Sequence, residues 1–169
     1  MNLNGTKDGT RTLRIPPLHG SISIQVDQLG RCLICKQHRI SGPSVESCKT
    51  GMRYRLKQNL NCNSFHVIYS ITCVKCNVQY VGKTVTKLRT RFNNHKSTIR
   101  KGGDGTVDKH FNLPGHDIGD MRIQAIDKCS LTDILARETW WIHRLKSLTI
   151  TDGLNVDPGV KRLMHSLNN

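Results

Sequence analysis

Residues 65–82 read FHVIYSITCVKCNVQYVG, two short runs of apolar residues joined by a segment that contains two cysteines. Both runs are rich in β-branched and aromatic residues, which are typical of β-strands. Residues 65–72 and 78–82 are therefore predicted to form the two strands of a β-hairpin.

The turn of this hairpin determines which side chains lie together. If the two residues between Cys73 and Cys76 form the turn, these cysteines oppose each other and Tyr69 opposes Tyr80. Directly opposed residues of an antiparallel pair project from the same face of the sheet. The hairpin is thus expected to present two phenols on one face and a cysteine pair at its tip.

An amphipathic helix is predicted at residues 84–100, directly after the hairpin. Its apolar face also contains an arginine and a histidine, and burying an unpaired charge there is strongly unfavourable. We interpret these two residues as lining a cleft. The alternative is that the arginine extends into solvent and the histidine is an ordinary core residue. The residues that share this face are Leu88, Arg91, Phe92, His95 and Ile99.

A third strand is predicted at residues 121–128, where apolar and polar residues alternate. In the helix predicted to follow it, Glu138 lies within the apolar face, where a carboxylate must be protonated, paired or bound to a metal ion. Trp140 is expected at the surface beside Arg137 and Arg144. The apolar face is predicted to contain Leu131, Ile134, Leu135, Trp141, Ile142, Leu145 and Leu148.

The charge of the chain indicates a polyanionic partner. The chain has 169 residues, with 26 Lys and Arg against 12 Asp and Glu, and a formal net charge of +14. Such an excess is typical of nucleic-acid-binding proteins, although a merely soluble basic protein is the simpler alternative. The predicted helix at residues 84–100 and its flanks lack acidic residues, so this surface is expected to contact DNA phosphates. The basic residues assigned to it are Lys83, Lys87, Arg89, Lys96, Arg100 and Lys101.

Cysteine and histidine residues predict a metal site near the hairpin. The chain has 7 cysteines and no secretory signal, which favours metal ligands over disulfides. Cys73 and Cys76 have zinc-ligand spacing, and His110 and His116 offer two imidazoles, so these four residues are predicted to bind structural Zn²⁺. His95 is a rival ligand, and the alternative is a reduced cysteine pair with two surface histidines.

A second zinc site is predicted upstream, in a cysteine-rich segment at residues 30–63. This segment has few large apolar residues, so a metal ion would supply folding free energy that a core cannot. His38 is an alternative ligand, and some of these cysteines would otherwise be small buried residues. The predicted ligands are Cys32, Cys35, Cys48 and Cys62.

The order of these residues resembles a known family. Residues 67–69 (VIY) and 80–82 (YVG), followed by the residues listed below, resemble the GIY-YIG endonuclease domain, with Val67 standing where the family name has Gly. The inserted residues 73–76, with 110–116 and 153–155, look most like the endonuclease of Penelope-like retroelements. The resemblance covers residues 62–155. The matched positions that follow the hairpin are Arg91, His95, Glu138 and Asn155.

The resemblance implies an α+β fold, in which a three-stranded antiparallel sheet is flanked by helices. Composition and pattern along the chain predict a flexible segment in which the alternation at residues 21–27 is compatible with a short strand (1–29), the cysteine-rich segment (30–63), the nuclease core (64–157) and a tail (158–169). No apolar run approaches the roughly 20 residues that a membrane-spanning helix needs. An intracellular, nuclear protein is expected.

The function implied is metal-dependent hydrolysis of a DNA phosphodiester. Tyr69 would take a proton from water, with Tyr80 and His95 orienting that water and Asn155 supporting the site. Arg91 suits the stabilisation of phosphate charge, since its planar fork pairs with phosphate oxygens, and it is expected to favour the Tyr69 phenolate.

Glu138 suits Mg²⁺ or Mn²⁺, because such hard cations bind through one or two carboxylates. The product implied is a 3′-hydroxyl that would prime reverse transcription in a retroelement. The chain contains no polymerase segment, so a reverse transcriptase domain in the same polyprotein is an expected partner. The alternatives are a zinc-stapled nucleic-acid-binding module that does not cut, and a GIY-YIG repair nuclease.

Overall fold

The computed structural model describes residues 36–149 and 152–156. The strand predicted near residue 24, the cysteines at 32 and 35 and the predicted tail at 158–169 lie outside these residues. No helix among the described residues is long and apolar enough to cross a membrane.

The core is a three-stranded antiparallel sheet with helices on both faces, as predicted. Its strand order is β4-β3-β5, and a separate pair of short strands, β1 and β2, precedes it. The strands are β1 (Ser44–Glu46), β2 (Arg53–Arg55), β3 (Val67–Cys73), β4 (Gln79–Thr84) and β5 (Met121–Lys128). The helices are α1 (Leu88–Arg100), α2 (Thr106–Phe111) and α3 (Ile134–Leu145), and a short 3₁₀ helix (Ile118–Asp120) precedes β5.

The central strand β3 is buried on both faces, and its side chains alternate between two apolar clusters. The first cluster joins one face of the sheet to α1 and α2. Its members include Val67, Tyr69, Ile71, Cys73, Leu88, Phe92, Ile99, Val107 and Phe111. The second cluster joins the opposite face to α3 and β1, with Val45, Ile68, Val81, Ile126, Ile134, Trp141, Ile142 and Leu145.

The hairpin turn is two residues longer than predicted. Asn77 adopts a left-handed conformation with φ of 59°, and its amide donates to the Cys73 carbonyl. As a result Tyr69 pairs with Gly82, and Tyr80 pairs with Ile71. The predicted register, with the two tyrosines directly opposed, is therefore wrong. A shift of two residues nevertheless keeps each side chain on its face, since strand side chains alternate with a period of two.

The helix predictions hold with two corrections. The helix α1 begins at Leu88 instead of residue 84, because residues up to Thr84 continue β4. Leu131 and Leu135 are 56% and 62% exposed, so their assignment to the buried face of α3 is wrong. Leu131 precedes the helix, and Leu135 lies on its first turn. Trp140 is at the surface as predicted, with 45% of its area exposed.

Candidate active site and metal centre

The Tyr69 hydroxyl is the centre of a buried hydrogen-bonded group. Arg91 Nε donates to the Tyr69 oxygen at 2.9 Å, and His95 Nε2 lies 2.9 Å from the same oxygen. Arg91 and His95 are four residues apart on α1, so both side chains point from the same helical face toward β3. Tyr80 lies beside them, with its ring centroid 6.3 Å from that of Tyr69 and 6.2 Å from that of His95.

Burial controls the protonation of this group. It raises the pKa of Tyr69, with a further increase from Tyr80, and it outweighs the lowering effect of Arg91. Burial is also the main cause of the raised pKa of Tyr80. Arg91 thus favours the Tyr69 phenolate as expected, but burial outweighs its effect and Tyr69 stays protonated in the free protein.

His95 is a neutral imidazole at physiological pH. Burial, reinforced by the charge of Arg91, lowers its pKa to about 4. In the tautomer of neutral His95 that carries its proton on Nδ1, Nε2 accepts the phenol proton of Tyr69, while the Arg91 Nε–H occupies one lone pair of the phenol oxygen. In this tautomer the order of donors is Arg91 to Tyr69 to His95, and the second lone pair of the phenol oxygen is left for another partner.

Gly82 on β4 leaves the space that the Tyr69 hydroxyl and the Tyr80 ring occupy. A Cβ atom there would lie 2.6 Å from the Tyr69 hydroxyl oxygen and 2.7 Å from the Tyr80 ring. This glycine is part of the quoted hairpin sequence, but it was not among the predicted site residues. Its role depends on the cross-strand pairing with Tyr69, which the predicted register did not contain.

Replacing Gly82 by alanine is expected to reduce cleavage by about a hundredfold, since a displacement of about 1 Å at a reacting group costs this much. Overpacking should also lower the free energy of unfolding by about 1–3 kcal/mol. Initial nicking rates and thermal melts measure the two effects. Gly42→Ala is the matched control, because the nearest heavy atom to its Cβ position is 3.9 Å away. Equal rates for both variants would show that the glycine does not shape the site.

Glu138 reaches the site from α3, on the other face of the sheet. Its Oε2 is 2.5 Å from Lys83 Nζ, and its side chain is 17% exposed. The negative charge of Glu138 contributes to the raised pKa of Tyr69 and of Tyr80, which places the carboxylate within electrostatic range of both phenols. Of the three states expected for this carboxylate, protonated, paired or bound to a metal ion, the structure shows it paired with Lys83.

Asn155 is bonded to the edge of the sheet. Its Oδ1 accepts hydrogen bonds from the Val81 amide at 2.7 Å and the Ser147 hydroxyl at 2.8 Å. Its Nδ2 donates to the Val81 carbonyl at 2.7 Å. The side chain therefore satisfies both outward-facing backbone groups of Val81, between Tyr80 and Gly82. Asn155 supports the active-site strand from outside.

The cysteines of the hairpin and the histidines after α1 converge. The ligand atoms of Cys73, Cys76, His110 and His116 all lie within 4.8 Å of one another. Cys76 Sγ is 3.4 Å from His110 Nε2, and the two imidazole centroids are 4.7 Å apart. His95 is not part of this group, because its Nε2 bonds to Tyr69.

The environment of this cluster fits a tetrahedral metal ion. Both ring nitrogens of His116 are buried and have no hydrogen-bond partner. Such atoms are costly unless a ligand satisfies them. Burial raises the pKa of Cys73, so a bound cation would stabilise its thiolate form. Burial also lowers the pKa of His110, which keeps its imidazole neutral and able to bind a metal ion. Two thiolates with two imidazoles are a donor set that structural zinc takes.

Two of the predicted upstream zinc ligands fall within the described residues. Cys48 lies on the α3 face of the sheet, where its amide donates to Gln79 and its Sγ contacts Thr72. Cys62 lies beside the first turn of α1, and its carbonyl accepts from the Arg89 amide. With Cys32 and Cys35 outside the described residues, the upstream zinc site stays a prediction.

His38, the alternative upstream ligand, lies beside β5 and α1. Its Nδ1 donates to the Met121 carbonyl, and its ring packs on Phe92 with centroids 5.0 Å apart.

The predicted DNA-binding residues fall into three groups. Lys83 lies in the candidate active site, where it forms a salt bridge with Glu138. Lys96 is half-buried, with its Nζ 5.7 Å from the centroid of Phe92. The others are exposed on α1 and its ends, and they are Lys87, Arg89, Arg100 and Lys101.

This chain is similar to a known protein family and to solved structures. A family model described as the GIY-YIG catalytic domain matches residues 65–150. The chain is similar to the catalytic domain of homing endonuclease I-TevI, with 23% identity over 54% of this chain and 97% of that domain, and a TM-score of 0.46. A single-residue variant of the catalytic domain of intron endonuclease I-TevI gives 24% identity over 53% and 91%, with a TM-score of 0.46. No curated protein sequence matches significantly.

Proposed function

Because the chain belongs to the GIY-YIG catalytic domain family, which makes it a DNA endonuclease, we propose that it hydrolyses a DNA phosphodiester with the help of a divalent cation. The observation that supports this most is the buried chain of Arg91, Tyr69 and His95 with Glu138 in electrostatic range. A protein that only binds DNA has no need of a phenol and an imidazole arranged to move a proton.

The donor order suggests how the attacking water loses its proton. Water donates to the free lone pair of the Tyr69 oxygen, and the phenol passes its own proton to His95 Nε2, 2.9 Å away. The resulting hydroxide attacks phosphorus, the bond from phosphorus to the 3′-oxygen breaks, and the 3′-oxygen takes a proton from a solvent water to become the 3′-hydroxyl. The low pKa of His95 makes it a weak base, so His95 returns the proton that it received to solvent.

Arg91 is placed to stabilise the negative charge that develops on the phosphate. Its pKa is raised by its interactions with Tyr69 and Tyr80 against the opposing effect of burial, so it stays charged. A guanidinium in a half-buried cleft pairs with phosphate oxygens more strongly than it does in water. Arg91 therefore connects substrate charge directly to the phenol that handles the proton.

Glu138 is the residue that would hold the cation. Mg²⁺ commonly binds through one carboxylate, substrate phosphate and waters, and the partly exposed carboxylate of Glu138 fits this role. When bound, the ion would stabilise charge on the departing oxygen. Lys83 holds the carboxylate in the free protein, so Glu138 must leave Lys83 or share its second oxygen when substrate binds.

We also propose a place for this activity in a retroelement. The sequence resemblance to Penelope-like endonucleases rests on the inserted cysteines and on residues 110–116, and Cys73, Cys76, His110 and His116 form the candidate metal centre. The nick would leave a 3′-hydroxyl for a reverse transcriptase encoded in the same polyprotein, in the nucleus. Zn²⁺ is the proposed occupant of this centre.

The wild-type chain is expected to nick supercoiled plasmid in Mg²⁺ or Mn²⁺ and to be inert in EDTA. Tyr69→Phe deletes one hydroxyl, so it should retain fold and DNA affinity while cleavage falls by about 10²–10⁴-fold, the typical contribution of an acid–base group. Gel assays of the nicked form and circular dichroism measure both. Ser130→Ala, which also deletes a single hydroxyl but at an exposed position before α3, is the control. If wild type nicks no substrate with any metal, the chain is a binding module instead.

A further inference from the structure

A second basic surface lies on α3, about a third of a turn around the helix from Glu138. Arg144 is exposed, and its guanidinium carbon is 4.7 Å from the centroid of Tyr54 and 5.4 Å from that of Trp140. The Tyr54 hydroxyl also donates to the Arg144 carbonyl at 3.1 Å. The guanidinium is therefore held between two aromatic rings, one from β2 and one from α3.

The neighbouring arginine on the same helix shows a different arrangement. Arg137 also stacks on Trp140, at 5.4 Å, but its guanidinium bonds to the Asp127 carboxylate. No carboxylate pairs with Arg144 in residues 36–149 and 152–156. Arg144 thus keeps its full charge, whereas the charge of Arg137 is cancelled.

We propose that Arg144, held between Tyr54 and Trp140, binds a backbone phosphate of DNA that flanks the scissile bond. A stacked guanidinium loses little side-chain entropy on binding, and its planar fork pairs with phosphate oxygens. The charge of the chain, +14, makes DNA the complementary partner. This inference rests on the proposed function for the identity of the substrate.

The position of Arg144 is consistent with a flanking contact. It follows Glu138 by six residues on α3, which is about 9 Å along the helix axis and about a third of a turn around it. Phosphates of duplex DNA repeat every 3.4 Å along the helix axis of each strand, so a contact at this distance lies a few nucleotides from the reacting phosphate. Trp140, which is 45% exposed, offers an aromatic surface beside it.

One of the three residues of this site lies outside the part of the chain that matches the family model. Trp140 and Arg144 lie within residues 65–150, the part that matches the family model, but Tyr54 precedes it. Tyr54 also packs on Trp141 with ring centroids 6.2 Å apart, so β2 is anchored on α3. The segment before the nuclease core therefore helps to position Arg144, the proposed DNA contact.

The test is the salt dependence of DNA binding, measured by fluorescence anisotropy on a duplex oligonucleotide in EDTA, where no cleavage occurs. Arg144→Gln should weaken binding by about three- to tenfold and reduce the log–log salt slope by about 0.9, the value for one phosphate contact. Arg144→Lys keeps the positive charge but lacks the planar guanidinium that stacks on rings and binds phosphate through two nitrogens. The DNA affinity of this variant should therefore lie between that of wild type and that of Arg144→Gln. Trp140→Leu should weaken binding without a change in charge.

Arg53→Gln is the matched control, because Arg53 is an exposed arginine next to Tyr54 that already pairs with Glu46 at 2.6 Å. Equal slopes for Arg144→Gln and Arg53→Gln would overturn the inference, whether or not the protein cuts DNA. A lower slope for Arg144→Gln alone would support it even if wild type failed to nick plasmid, and such a failure would count only against the proposed function. Tighter binding to single-stranded DNA or RNA that depends equally on Arg144 would overturn the assignment to flanking duplex.

Discussion

Replacing Glu138 by alanine is expected to reduce DNA cleavage by about a thousandfold or more, because it removes the proposed ligand of the cation that stabilises transition-state charge. DNA affinity should stay the same or rise slightly, since a negative charge near the phosphates is lost. Plasmid nicking in Mg²⁺ and binding in EDTA separate the two effects.

Two further variants make this result specific. Glu138→Gln keeps the size of the side chain and should be equally inactive. Glu46→Ala removes another ion-paired glutamate, the partner of Arg53, and should cleave like wild type. The pair with Lys83 is partly exposed, so its loss should cost about 1 kcal/mol of stability or less. Nicking by Glu138→Ala at the wild-type rate would place the cation elsewhere.

The second large effect is expected at the candidate metal centre. His116→Leu should lose one bound metal ion per chain and lower the melting temperature by about 10 °C or more, because binding free energy of structural zinc is folding free energy. Native mass spectrometry of freshly purified protein counts the metal, and scanning calorimetry gives the melting temperature. Cys73→Ser should behave in the same way.

The sign of the His116→Leu effect distinguishes a metal site from an empty cluster. Both ring nitrogens of His116 are buried without a partner, and such atoms cost about 1–3 kcal/mol each when nothing satisfies them. If no metal binds, leucine removes these atoms and the protein should become more stable. Cys129→Ser, a change at a half-buried free cysteine outside the cluster, is the control and should retain the metal. A rise in melting temperature for His116→Leu would rule out the centre.

Local pattern predicted the elements of the core. The β-branched and aromatic runs placed β3 and β4 within two residues of their observed ends, and the alternation at residues 121–128 matched β5. The 3.6-residue repeat placed Arg91 and His95 on the buried face of α1. These signals are reliable because they depend on neighbours in the chain and on which residues avoid water.

Local sequence patterns did not predict the contacts between residues that are distant in the chain. The left-handed conformation of Asn77 set the hairpin register, which brought Gly82 under Tyr69. Leu131 and Leu135 followed the apolar pattern of α3 but are exposed near its start.

By itself the sequence determined the strands, the amphipathic helices, the excess of positive charge and the supply of metal-binding and phosphate-binding side chains. Only the tertiary structure decided which of these side chains meet and in what state of protonation. Burial raises the pKa of Tyr69 and lowers that of His95, because both depend on solvent that distant segments exclude. The tertiary structure also decided that Tyr54, far from α3 in sequence, packs on Arg144, since packing joins residues that no local pattern connects.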